Sequence, residues 1–295
     1  MIRHLRPLLL GRPLHGDERH APFFIVGSGR CGTTLMRAML ETHRAVHIPP
    51  GNPVLRAMLH DFRRYSRLPW SAVVRIVFGR LALHQSWESF ELPAGPVFEE
   101  LTELPAAGRN FAALIDAVYR AHLRHHKAGA LRWGDKSPLS VLALDDLHSA
   151  FPDLRVIYML RDGRDVAASF ADAFGDDISR AAMVWVRAVR TAHDFRDRHP
   201  NLFLEVRYED VARQPEQELR RVSDFLGLPF DERMLRHHEM GLKLGDVERT
   251  PYMQGVQSAV HQASIGRWRT AFDATQAATL ERLLQPTLEQ MGYGR

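Results

Sequence analysis

The sequence predicts an α/β protein: a P-loop-type central parallel sheet of about five strands, helices on both faces, and a helical insertion. Three observations predict it. Short apolar runs at residues 23–26, 45–48, 130–133, 156–160 and 202–206 alternate with helical patterns at 33–42, 139–150, 165–174, 178–198, 215–226 and 275–291. That alternation is the mark of a parallel sheet. The first run passes through a glycine-rich loop straight into a helix. Finally, Arg30, Asp135, Lys136 and Arg161 each fall just after an apolar run, and ligands in such sheets bind at the carboxyl ends of strands.

Taken in order, residues 1–20 form a basic arm rich in Arg and His, expected to be loosely ordered. Its only apolar run is Leu8-Leu9-Leu10, too short for a transmembrane helix or a signal-peptide core. No other stretch is long and apolar enough to span a bilayer, so a soluble, cytoplasmic protein is expected. Residues 21–295 read as one domain, with no internal repeat or low-complexity linker. Within it, residues 49–109 become helical and irregular, with Trp70, Phe78, Trp87 and Phe90 scattered through them. The stretch 240–262, with Gly245, Pro251 and Gly255, reads as a loop able to cover a ligand.

Phe23-Phe24-Ile25-Val26 leads into Gly27-Ser28-Gly29-Arg30-Cys31-Gly32-Thr33-Thr34 and then into an apolar-periodic helix. Glycines let the backbone turn tightly and aim successive N–H groups into one hollow, and the helix adds its positive dipole end. Such a loop suits phosphate. A nucleotide-hydrolysing P-loop reads G-x-x-x-x-G-K-(S/T). Gly27, Gly32 and Thr34 fit that frame, but Thr33 stands in the lysine position and the cation is Arg30, inside the loop. A guanidinium there can fork onto two oxygens of an anion. A phosphorylated ligand held without a lysine–magnesium clamp is therefore expected.

This segment resembles the 5′-phosphosulfate loop of sulfotransferases that use PAPS (3′-phosphoadenosine 5′-phosphosulfate), whose (K/R)-x-G-T-T pattern is here Arg30-Cys31-Gly32-Thr33-Thr34. The extension Leu35-Met36-Arg37-Ala38-Met39-Leu40 is similar to the tyrosylprotein and bacterial branch. Three further segments carry the resemblance. Arg161-Asp162-Gly163-Arg164-Asp165 followed by Ser169 matches the family's 3′-phosphate site, which implies that role for Arg161 and Ser169. The alternative for Arg161 is a surface ion pair with Asp162 or Asp165. Trp133-Gly134-Asp135-Lys136-Ser137-Pro138 resembles the G-(E/D)-K-(T/S)-P segment, whose lysine faces the sulfuryl group; Lys136 is thereby implied to stabilise the departing bridge oxygen. Ser264-Ile265-Gly266-Arg267-Trp268 resembles the late G-x-W segment that closes over the nucleotide, although Trp268 could equally be core.

The resemblance implies a sulfotransferase fold with PAPS as co-substrate, PAP as product and no metal. Ser28, Gly29, Arg30, Cys31, Gly32, Thr33 and Thr34 would form the phosphosulfate cradle. Gly266, Arg267 and Trp268 would close the site, with Tyr208 near the adenine. The insertion would shape the acceptor pocket. Two departures stand out. Cytosolic enzymes carry Arg-Lys-Gly where this chain has His261-Gln262-Ala263, and the glutamate base of the tyrosylprotein enzymes falls on Gly51. The second departure disfavours protein tyrosine and leaves a hydroxyl on a small molecule, lipid or glycan as the expected acceptor. The nearest candidate bases are His47, with a pKa suited to neutral-pH proton transfer, and Asp135. His47 could instead pack into the sheet, and Asp135 could instead cap a helix.

Composition agrees. The formal charge of +4 favours an anionic ligand without separating PAPS from nucleic acid or an acidic glycan; the motifs argue against nucleic acid. A single cysteine excludes an intrachain disulfide. No Cys or His cluster has zinc-ligand spacing, and His125-His126 and His237-His238 are expected on solvated helix faces. A homodimer is compatible with the sequence. Two other functions fit parts of it: a P-loop kinase or NTPase, disfavoured by the missing loop lysine, and a non-catalytic binder of 3′-phosphorylated nucleotides, disfavoured by Lys136.

Overall fold

The computed structural model describes residues 10–11, 21–175 and 177–294. Nearly all of the basic arm expected at 1–20 therefore lies outside the described residues. The five strands are β1 (Phe23–Gly27), β2 (Val46–His47), β3 (Arg132–Lys136), β4 (Arg155–Leu160) and β5 (Phe203–Arg207). They form one sheet in the order β2-β3-β1-β4-β5, and every neighbouring pair is parallel. Every residue of β1 and β3 is buried. Side chains alternate between the two faces of a strand, so both faces of the sheet centre are covered.

The helices around it are α1 (Thr33–Glu41), α2 (Leu55–Tyr65), α3 (Trp70–Ala82), α4 (Ala94–Thr102), α5 (Phe111–His126), α6 (Leu144–Ala150), α7 (Gly163–Phe174), α8 (Ile178–Arg198), α9 (Tyr208–Arg213), α10 (Pro215–Leu226), α11 (Trp268–Ala271) and α12 (Ala274–Gln290). After β1 the chain crosses through α1 toward β2, whereas after β4 it crosses through α7 and α8 toward β5. Adjacent strands whose connections leave in opposite directions make a crevice at their carboxyl ends. The glycine-rich loop and Arg161 sit at that crevice.

Two boundaries depart from the sequence reading. β3 runs over Arg132–Lys136 rather than 130–133, so Asp135 and Lys136 are the last residues of a strand, not part of a following turn. Its polar end hides it from an apolar-pattern search. Gly134 belongs there because the Phe23 ring fills its side-chain space: a Cβ would sit 2.3 Å from that ring. The pattern at 139–150 is a 3-10 segment, Pro138–Ala143, followed by α6. Helices α5, α9 and α11 escape the sequence reading; α5 opens on Asn110, whose side chain accepts from the Ala113 N–H at 2.8 Å, an N-cap contact.

The insertion is helical, and its aromatics build core. Trp70, Phe78 and Phe90 are buried. The Trp70 indole N–H donates to the Leu101 carbonyl at 2.8 Å, and Trp87 stacks on Phe90 with 5.0 Å between ring centres. His237 is also buried, contrary to the solvated position expected for it. Among the described residues no helix is long and apolar enough to cross a membrane.

Gly134→Ala should destabilise the fold by about 1–3 kcal/mol, the range for forcing an extra methyl into a packed core. Chemical denaturation monitored by tryptophan fluorescence checks this; unchanged stability would show that Phe23 yields freely.

Candidate active site

The loop between β1 and α1 is curled by left-handed residues: Gly29 at φ 84°, Arg30 at φ 55° and Gly32 at φ 92°. Residues in this region set up the concave backbone of anion-binding nests. Only glycine suits position 32, because a Cβ there would lie 2.7 Å from the Tyr208 ring. Gly27 is equally constrained, its missing Cβ leaving room for the Cys31 sulfur and the Met159 carbonyl. Cys31 is buried, and that burial pushes its thiol pKa up. It therefore offers the site only backbone. The Ser28 hydroxyl donates to the Gly29 carbonyl at 3.1 Å.

A cavity of about 200 Å³ opens beside this loop, and it gathers Arg30, Gly32, Thr33, Thr34, Arg161, Ser169, Tyr208 and Arg267. Arg30 is held at every nitrogen. Its Nε donates to the Ser169 hydroxyl at 3.0 Å, and both terminal nitrogens donate to the Tyr252 carbonyl at 3.2 Å. Arg161 donates to the carbonyls of Arg30 at 2.9 Å and Ser264 at 2.6 Å, with its guanidinium 4.6 Å from the centre of the Tyr208 ring. It makes neither of the ion pairs that were its alternative. Asp162 takes Arg164 instead, and Asp165 accepts from the backbone N–H groups of Gly266 at 2.7 Å and Trp268 at 3.0 Å. The Nε of Arg161 is buried without a partner among the described residues.

The electrostatics match an anion site. Burial lowers the Arg30 pKa, and Arg161 and Arg267 push it the same way. Two arginines so close repel one another unless an anion screens them. The late segment is tied to this cluster through Asp165. Trp268 is half-buried outside the core, with the guanidinium groups of Arg164 at 4.0 Å and Arg269 at 4.5 Å from its ring centre.

The other expected residues lie elsewhere. Lys136 is buried at the end of β3, paired with β1 at Ile25. Its Nζ donates to Asp246 Oδ2 at 3.0 Å. Burial lowers the lysine pKa, while Asp246 works against that shift. Asp135 faces inward: its Oδ2 accepts from Tyr119 at 2.6 Å and Ser137 at 3.2 Å. Burial pushes its carboxyl up to about 6 against those hydrogen bonds. It caps no helix.

His47 takes the packed position that the sequence reading left open for it. It is buried, with Nδ1 at 3.0 Å from Glu41 Oε1 and Nε2 at 2.7 Å from His122 Nδ1. With Glu41 and His122 engaging both ring nitrogens, it has no free nitrogen to take a proton from an acceptor.

Sequence reasoning missed Arg37 and Asp246. Arg37 is buried on α1, its Nε donating to the Ile48 carbonyl at 3.0 Å and one terminal nitrogen to the Leu244 carbonyl at 2.9 Å. Its other terminal nitrogen pairs with Asp246. A fully buried arginine in an otherwise apolar helix face was the available signal, since such charges require partners.

The sequence model of the sulfotransferase family matches residues 22–232, well over half the chain, and the chain belongs to that family. Protein-tyrosine sulfotransferase A of Caenorhabditis elegans is 25% identical over 290 residues, covering 94% of this chain and 69% of that one. The sulfotransferase domain from the Synechococcus PCC 7002 olefin synthase superposes with a TM-score of 0.66 at 22% identity, over 97% of this chain and 98% of that one. Mouse sulfotransferase SULT7A1 complexed with PAP gives a TM-score of 0.51 at 13% identity, over 93% and 86% of the two chains. At such identities the two structures speak to the fold. The chain is thus an enzyme of the sulfotransferase family that its motifs resemble.

Asp135 provides a test by pH. Its folded pKa lies above the unfolded value, so its protonated form favours the folded state below about pH 4, and that contribution is lost as pH rises through about 6. Asp135→Asn keeps the neutral shape at every pH. Relative to the wild type, this variant should gain unfolding free energy between pH 4.5 and 7; a flat difference would contradict the raised pKa.

Proposed function

We propose that the protein transfers a sulfuryl group from PAPS to a hydroxyl on a small molecule, lipid or glycan by in-line displacement. The observation that carries this reading is the convergence of Arg30 and Arg161 at the sheet crevice, with the buried Arg161 Nε left unpaired. A buried donor without a partner costs free energy that a bound anion recovers.

In this reading Arg30, Thr33 and Thr34, with the loop backbone and the N-terminus of α1, hold the 5′-phosphosulfate. Arg161 and Ser169 hold the 3′-phosphate. The Ser169–Arg30 hydrogen bond couples the two phosphate sites, so each helps to orient the other. Tyr208 stands against the Arg161 guanidinium and the loop at Gly32, fixing the floor of the nucleotide cavity. The segment at Gly266, Arg267 and Trp268 closes it, anchored by Asp165. Lys136, one strand away, supplies positive charge to the bridge oxygen as the bond to sulfur breaks. No metal is assigned a role.

The acceptor reading rests on Gly51. A Cβ there would lie 2.7 Å from the Lys136 carbonyl and 3.6 Å from its Nζ. The position that carries a glutamate in the enzymes this chain resembles therefore adjoins Lys136, yet it bears no side chain. This supports an acceptor other than protein tyrosine.

Calorimetry with PAP tests the donor site. Arg161→Ala removes a charge-assisted contact worth about 1.5–3 kcal/mol, so PAP affinity should fall about 10- to 100-fold. Equal binding by the variant, or tighter binding of ATP with magnesium than of PAP, would overturn the reading.

A further inference from the structure

The loop carrying Asp246 is built into the wall beside Lys136. Leu244 and Val247 are buried and pack with Ala38 of α1. The Leu244 N–H donates to Glu248 at 3.0 Å. Gly245, at φ 76°, meets the insertion so closely that a Cβ would lie 2.2 Å from the Ser89 carbonyl and 3.1 Å from the Pro50 ring. These contacts fix the backbone on either side of Asp246. Its carboxylate bridges Arg37 and Lys136, while 16% of the side chain stays exposed.

Lys136 thus has two neighbours with opposite meanings. On one side is Gly51, the position where a glutamate would stand in the enzymes this chain resembles. On the other is Asp246, with Oδ2 at 3.0 Å from the Lys136 ammonium. We infer that Asp246 is the catalytic base, a carboxylate delivered to Lys136 from the loop at 240–250, beyond α10, rather than from the loop after β2. This inference rests on the sulfuryl-transfer reading above.

The step balances without a further reactant. The acceptor oxygen bonds to sulfur as the sulfur–oxygen bond to the 5′-phosphate breaks, and that electron pair stays on the phosphate oxygen. The hydroxyl proton passes to Asp246 and then to water. Before the reaction Arg37 and Lys136 outweigh the effect of burial and hold the carboxyl well below the usual carboxylate range. When Lys136 turns to the bridge oxygen, one cation leaves the carboxylate. Its proton affinity then rises at the moment a proton must be taken. Arg37 stays, locked by the Ile48 and Leu244 carbonyls, and keeps the carboxylate aimed.

The test compares acceptors of different acidity. The full-length protein and Asp246→Asn are assayed with PAPS against a panel of aliphatic alcohols and, above neutral pH where it is largely ionised, against p-nitrophenol. PAP affinity is measured alongside. Loss of a general base should cut alcohol sulfation about 10²- to 10⁴-fold. Sulfation of p-nitrophenol should fall less than tenfold, and PAP affinity should stay within about threefold. A variant that loses both acceptors equally, or keeps alcohol turnover, would overturn the assignment. So would a wild type that binds PAP yet sulfates neither acceptor class. Failure of the wild type to bind PAP would instead strike the donor reading. If Asp246→Asn unfolds, Asp246→Glu retains the charge but moves the carboxylate by one methylene. Its alcohol turnover should fall at least tenfold with p-nitrophenol spared, and full alcohol activity would equally contradict the assignment.

Discussion

Positive charge gathered at the carboxyl ends of three parallel strands is the constraint on which the rest of the structure depends. Arg30 follows β1, Lys136 ends β3 and Arg161 follows β4, and Arg37 lies on the helix that the β1 loop opens. A desolvated cation costs several kcal/mol unless it is compensated. The chain compensates them in two different ways. Arg37 and Lys136 share the Asp246 carboxylate. The hydrogen bonds of Arg30 and Arg161 go to one hydroxyl and to backbone carbonyls, which orient a guanidinium without neutralising it. The pair with a carboxylate is ready for proton and charge movement; the pair without one is ready for an anion.

The topology explains why both clusters fall together. With β1 at the centre and the connections leaving it and β4 in opposite directions, the crevice lies above those two strands. β3 is the neighbour on the other side of β1. One sheet edge therefore presents the nucleotide clamp and the lysine within a strand's width of each other. Loops from far along the chain complete both. Tyr252 and Ser264 reach Arg30 and Arg161, and Asp246 reaches Lys136 across 110 residues of sequence.

Much of this was legible in the sequence because its signals are local. Strand, glycines, arginine, hydroxyls and helix follow one another between Phe23 and Leu40. Arg161 and Ser169 are separated by a strand-to-helix turn that can be read in the same way. All five strands were visible as apolar runs. Lost to that reading were the polar end of β3, where Asp135 and Lys136 sit in a strand, and helices α5, α9 and α11. The base was lost for a deeper reason. Asp246 is an unremarked acid in a loop, and its meaning comes only from Arg37 and Lys136, which are distant in the chain. His47 had the right chemistry and the wrong neighbours: Glu41 and His122 occupy its ring.

The central claim is that the uncompensated pair, Arg30 and Arg161, forms a site for a nucleotide carrying a 3′-phosphate. The most direct measurement is the ratio of affinities for PAP and adenosine 5′-phosphate, by calorimetry, without magnesium. The two ligands differ only in the group that Arg161 and Ser169 are assigned to hold. A preference for PAP of about 10- to 100-fold, the worth of one charge-assisted phosphate contact, is what the structure predicts. Equal affinity would mean that these residues hold no 3′-phosphate, and the assignment of the crevice would be wrong.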